Sequence, residues 1–166
     1  NLAIEGELAI ELSREPRDED FTDHLLPPCI SRIFPVIELH NHVMRGQQAS
    51  AGELIANNAI HAGFVFGGGG LSSNFFTATM FDEAQLEIFR DNQLLGQCEG
   101  QLLLETIYSS LKWLWRELLQ SNDRLRAGQI VLTGSIPNLF PVTGACCLRV
   151  ESAPFGKVAA EVKDRR

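Results

Sequence analysis

Residues 3–12, AIEGELAIEL, alternate strictly between two kinds of side chain. Ile4, Leu8, Ile10 and Leu12 fall on one face of the implied strand, and Glu5, Glu7, Ala9 and Glu11 on the other. One face is expected to be core and the other acidic. The charged, Pro-containing SREPRDED that follows reads as an exposed loop. Beyond it, Thr22 or Asp23 is placed to cap a short helix, with Pro27 and Pro28 in its first turn and its end near Phe34.

IFPVIELHNHV is rich in β-branched and aromatic residues around one entrance Pro and predicts a second strand. SAGELIANN predicts a short polar helix or turn. GFVFGGGG predicts a buried strand running into four glycines, with an ordered surface loop after it through Thr79. QLEIFRDNQLLGQCEG contains two alternating runs about Asp91-Asn92, a hairpin signal. Over roughly 101–120, Leu103, Ile107, Leu111, Leu114 and Leu118 recur at three- and four-residue steps, so a long helix packs an apolar stripe on the sheet. AGQIVLTGS, TGACCLRVES and GKVAAEV predict three further short strands. Many strands and one long helix describe an α+β, β-rich fold with a curved or barrel-like sheet.

Composition bounds this picture. At 166 residues, 45% of them hydrophobic, the chain is expected to form a single domain over 1–166. A net charge of -7 argues against a nucleic-acid backbone or an anionic membrane as partner. No apolar run approaches the roughly 20 residues needed to cross a bilayer, and no charged n-region precedes an apolar h-region, so a cytoplasmic protein is expected. Asn1 in place of Met suggests a fragment, a processed product or part of a longer chain. Cys29, Cys98, Cys146 and Cys147 lack CxxC spacing and are read as reduced and mostly buried.

Glu5 and Glu7, two apart on a strand, point the same way and suit one hard cation between them. Glu-x-Glu alone is more often a solvated strand face. Glu38, however, follows the apolar IFPVI, where an unpaired charge is costly to bury. A third carboxylate there would complete an oxygen site fitting Mg²⁺ or Mn²⁺ better than Zn²⁺. A competing set on one strand face, Glu38, His40 and His42, would prefer Zn²⁺ or Fe²⁺. The plainest reading of both histidines is exposed or hydrogen-bonded side chains. Thr133-Gly134-Ser135, after the apolar IVL, offers a hydroxyl and backbone N–H groups to a substrate carboxylate, or is simply a turn. Gly67 to Gly70 lack P-loop and dinucleotide spacing, and no GxSxG elbow is present. Trp113 and Trp115, with Phe75, Phe76 and Phe81, are core, subunit-interface or ligand-surface residues. No residue is singled out for proton transfer.

Several of these segments fall into one family's order. AIEGELAIEL resembles a Glu-x-Glu metal strand, PVIEL the strand of a third metal carboxylate, and NNAIHAGFVFG an Asp-Asn-Ala-Ser-x-Gly segment. LRAGQIVLTGSIPNLFPVTG resembles a closing Leu-x-Ala-Gly-Asp-x-x-Leu-Thr-Gly-Ser stretch. The family is that of the 2-hydroxypentadienoate (2-keto-4-pentenoate) hydratases and 4-oxalocrotonate decarboxylases, within the fumarylacetoacetate hydrolase superfamily. The likeness covers nearly the whole chain but not the N-terminal portion usual in the family.

The resemblance implies a mixed β-roll, a homodimer or larger homo-oligomer, and Mg²⁺ or Mn²⁺ held by Glu5, Glu7 and Glu38. It also implies a lyase of aromatic catabolism, a hydratase or decarboxylase acting on a small anionic 2-oxo or 2-hydroxy-dienoic acid. The chain departs from the family at Glu38-Leu-His-Asn-His-Val43, where Glu-Ile-Val-Asp-Ser-Arg is usual, at Asn57 in place of Asp, and at Thr143-Gly144-Ala145 in place of Pro-Gly-Asp. An Arg and two Asp are lost from candidate substrate-clamping and supporting positions. These losses motivate the alternative, a non-catalytic relative serving as a metal- or partner-binding module.

Overall fold

The computed structural model describes residues 1–22, 26–41, 43, 49–136 and 138–164. Strand β1 (Leu2–Leu12) pairs antiparallel along its whole length with β2 (Ile30–Asn41), from Leu2 opposite Asn41 to Leu12 opposite Ile30. A short helix α1 (Ala51–Ala56) leads into β3 (His61–Phe66) and the two-residue β4 (Leu71–Ser72), both on the outer side of β2. The hairpin β5 (Gln85–Arg90) and β6 (Gln93–Glu99) turns through Asp91 in a left-handed conformation, φ 54°. After it come the long helix α2 (Gly100–Gln120), β7 (Ile130–Leu132), β8 (Phe140–Pro141), β9 (Cys146–Ala153) and β10 (Gly156–Val162).

The strands form two sheets. The first runs β3-β2-β1-β7 with β4 and β8 added at its margins, and the second β10-β9-β5-β6. With one long helix, this is the β-rich α+β architecture expected, a curled half-barrel. Ile4, Leu8, Ile10 and Leu12 of β1, with Ile33 and Ile37 of β2, face Leu86, Ile88, Leu148 and Val150 of the second sheet in one buried cluster. The α2 stripe joins that cluster through Leu103, Ile107 and Leu111, with Leu114 and Leu118 partly buried beside them. Gly6 lies on the same face because nothing larger fits: a Cβ there would sit 2.4 Å from Ile88 Cγ1.

Four expectations are corrected. No helix ends near Phe34: a 3-10 turn occupies Asp18–Phe21, and Ile30 already begins β2. Pro27 and Pro28 oppose a helix across them, and residue-by-residue pairing with β1 rewards the extended chain. Of the two candidate caps, Thr22 follows the 3-10 turn and Asp23 lies outside the described residues. Pro35 stands in mid-strand rather than at the entrance, in the gap between β2's pairing with β4, which ends at Ile33, and with β3, which begins at Val36. A missing N–H costs little there.

Strand β3 is half-exposed, not buried, since it lies at the sheet margin, and Phe66 is 47% exposed. The cysteines are free, as expected, but only Cys29 and Cys98 are buried; Cys147 is exposed, because neighbours on β9 point to opposite faces. Trp115 stacks on Phe21 at 5.2 Å in the core while Trp113 is exposed. No helix among the described residues is long and apolar enough to cross a membrane.

Candidate metal and substrate site

The face of the first sheet turned away from the main core carries Glu5, Glu7, Ala9 and Glu11 on β1. Their cross-strand neighbours on β2 are Glu38, Val36, Phe34 and Arg32. Glu5 sits directly opposite Glu38, so the two carboxylates stand on the same side of the sheet, and Glu7, two residues along β1 from Glu5, is the diagonal neighbour of Glu38. Alternation placed Glu5 and Glu7 together, and register brings Glu38 to them. At the far end Glu11 is neutralised by Arg32, 2.8 Å away, whose guanidinium lies over Phe34. Ala9, Phe34 and Val36 form a small separate apolar cluster between the two polar ends.

Among the described residues, the ion-pair partners of Glu5 and Glu38 are histidines. His40 Nε2 lies 3.0 Å from Glu5 Oε2 and 3.5 Å from Glu38 Oε2, and His61 Nδ1 lies 2.6 Å from Glu38 Oε1. His40 is buried, so of its two expected states it takes the hydrogen-bonded one. His61 arrives from β3 through an irregularity in the β2–β3 register beside His40. It was not singled out from sequence, and no local signal marks it, since its place depends on how β3 docks. His42 lies outside the described residues, so the Glu38–His40–His42 set is not described as a whole.

Glu7 is only 2% exposed and accepts the backbone N–H of Gly134 at 2.9 Å. Burial, then a side-chain hydrogen bond with Glu38, then repulsion from Glu38 and Glu5 push its carboxyl up to about 8; the Gly134 N–H opposes them. Without a cation, Glu7 therefore keeps its proton below about pH 8. The Thr133–Ser135 loop stands against Glu7. Thr133 is buried, its hydroxyl donating to the Leu8 carbonyl at 2.7 Å, and Ser110 Oγ donates to the Thr133 carbonyl at 2.6 Å. These bonds latch the loop to β1 and aim Gly134 at Glu7.

Donor chemistry and charge both fit a divalent cation. Three carboxylates share this face, one of them buried, and among the described residues His40 and His61 are the basic side chains paired with them. Glu5, Glu38 and His40 each bring a ligand atom within 4.8 Å of the others. Oxygen donors of this kind suit a hard cation, and an imidazole among them a borderline one.

No family model matches the sequence. A 2-keto-4-pentenoate hydratase from Paraburkholderia phymatum is 24% identical over 161 residues, 97% of this chain and 60% of that protein. The chain thus spans about 60% of the length of the curated relatives it matches. Among solved structures, 4-oxalocrotonate decarboxylase from Pseudomonas putida G7, complexed with magnesium and adipate, superposes with a TM-score of 0.78 at 18% identity. That match covers 95% of this chain and 59% of the other. Fumarylpyruvate hydrolase from Pseudomonas aeruginosa, in complex with Mn²⁺ and pyruvate, gives 0.72 at 12% identity, covering 99% and 67%. In sequence and in fold the chain is thus similar to the C-terminal part of the 2-keto-4-pentenoate hydratases and 4-oxalocrotonate decarboxylase of the fumarylacetoacetate hydrolase superfamily.

Proposed function

We propose that this chain carries the metal-binding half of a divalent-metal-dependent lyase, a hydratase or decarboxylase acting on a small 2-hydroxy-dienoic or 2-oxo acid. The observation that carries this reading is the placement of Glu5, Glu7 and Glu38 together on one sheet face, with His40 and His61 paired to two of them. These three carboxylates are assigned to Mg²⁺ or Mn²⁺. A bound ion of this kind supplies Lewis acidity, holding an anionic substrate and stabilising negative charge that develops on its 2-oxygen.

The chain's own residues do the rest. His61 holds one oxygen of Glu38 and fixes its orientation. Gly134 fixes Glu7 in the same way, and the Thr133–Gly134–Ser135 loop, pinned at Thr133, is assigned to the substrate's carboxylate end. Phe34 and Val36, next along the face, exclude water from the side of the carboxylates where a short apolar chain would lie. A homodimer or larger homo-oligomer in the cytoplasm belongs to this reading.

The test is calorimetric titration of this chain with Mn²⁺ and Mg²⁺, followed by an assay of 2-hydroxypentadienoate turnover in their presence by the full reading frame that contains it. Metal binding with turnover supports the lyase. Binding without turnover selects the non-catalytic metal-binding relative, and absence of binding rejects the metal site.

A further inference from the structure

The geometry points to His40 as a nitrogen ligand of the same ion as Glu5 and Glu38, converting an all-oxygen site into a mixed one that favours Zn²⁺ and Mn²⁺ over Mg²⁺. This rests on the reading that the carboxylates hold a divalent cation. The ring is 7% exposed, and its Nδ1 is buried with no hydrogen-bond partner among the described residues, so its polar contacts are all made at Nε2. Nε2 is aimed between the two carboxylates, 3.0 Å from Glu5 Oε2 and 3.5 Å from Glu38 Oε2.

Those separations match the edges of one coordination sphere. Two donors bonded at about 2.1 Å to one ion lie roughly 3.0 Å apart at a right angle and roughly 3.4 Å apart at the tetrahedral angle. His61, by contrast, pairs with Glu38 and, among the described residues, is not in the group of ligand atoms formed by Glu5, Glu38 and His40, so it is a support rather than a ligand. Imidazole gains more from Zn²⁺ than from Mg²⁺, which binds oxygen and dehydrates reluctantly. In the related motif a valine stands where this chain has His40, so the donor is a feature of this chain.

The experiment loads wild-type chain, His40→Val and His61→Ala with saturating Mn²⁺ and records pulsed electron paramagnetic resonance for coupling to a directly bound ¹⁴N. The expected result is imidazole coupling in the wild type and in His61→Ala that is absent in His40→Val. Calorimetry should show the Zn²⁺-to-Mg²⁺ affinity ratio of His40→Val falling about tenfold or more. Bound Mn²⁺ with no nitrogen coupling in the wild type overturns the His40 assignment and leaves the carboxylate site standing. Coupling lost only in His61→Ala likewise overturns it, and failure of wild type to bind Mn²⁺ at all overturns both. Should His40→Val not fold, the wild-type and His61→Ala spectra still decide whether a nitrogen is bound and whether it is that of His61.

Discussion

Replacing Glu7 by Gln should flatten the pH dependence of stability of the metal-free chain. The carboxyl is nearly inaccessible, and its folded-state value is about 8 against an ordinary 4.5. The folded chain therefore keeps a proton that the unfolded chain releases, and the stability tied to that proton is full below pH 4.5 and lost as pH rises through 8. A shift of this size corresponds to about 5 kcal/mol at its limit and about 3 kcal/mol between pH 5.5 and 8.5. For a chain of this length that is roughly 6–12 °C in melting temperature. Gln keeps the shape and can still accept the Gly134 N–H, but it does not ionise. Thermal melts at pH 5.5 and 8.5 in excess chelator should show wild type losing that stability while Glu7→Gln does not. Adding Mn²⁺ at pH 8.5 should restore wild type and leave the variant much less changed. Equal pH slopes for the two proteins would refute the view of Glu7 as a buried carboxyl held protonated by its neighbours.

Three further outcomes follow from the same geometry. Asp20→Asn should cost about 2 kcal/mol in urea unfolding, since it strips the charge from a two-pronged pair with a partly exposed Arg14. Burial alone would raise the Asp20 carboxyl, but Arg14 and the Arg17 N–H outweigh it and hold it below 3.8, so this stability is present above pH 3.8 and disappears on further acidification, a loss the variant should not show. Gly6→Ala should cost about 1–3 kcal/mol by the same measurement, because its Cβ would press on the fully buried Ile88 between the sheets. His61→Ala should weaken Mn²⁺ binding about 10–100-fold by calorimetry with little change in melting temperature of the metal-free chain, as it frees Glu38 without emptying the core.

Much of the fold is legible because period and burial are local properties. Two-residue alternation in AIEGELAIEL fixes that Glu5 and Glu7 share a face opposite Ile4 and Leu8, whatever that strand pairs with. The three- and four-residue spacing from Leu103 to Leu118 does the same for the α2 stripe, and Asp91-Asn92 for the hairpin. Register and docking are not local. Only the pairing of Leu12 with Ile30 shows that the chain after Pro28 is strand and not helix, and the same pairing sets Glu38 opposite Glu5. Only the irregular β2–β3 register brings His61 to Glu38, and only the latching of Thr133 to Leu8 turns Gly134 toward Glu7. The carboxylates were written in the strand pattern; the groups that hold them come from residues 23 to 127 positions away, whose placement depends on contacts no short window of sequence contains.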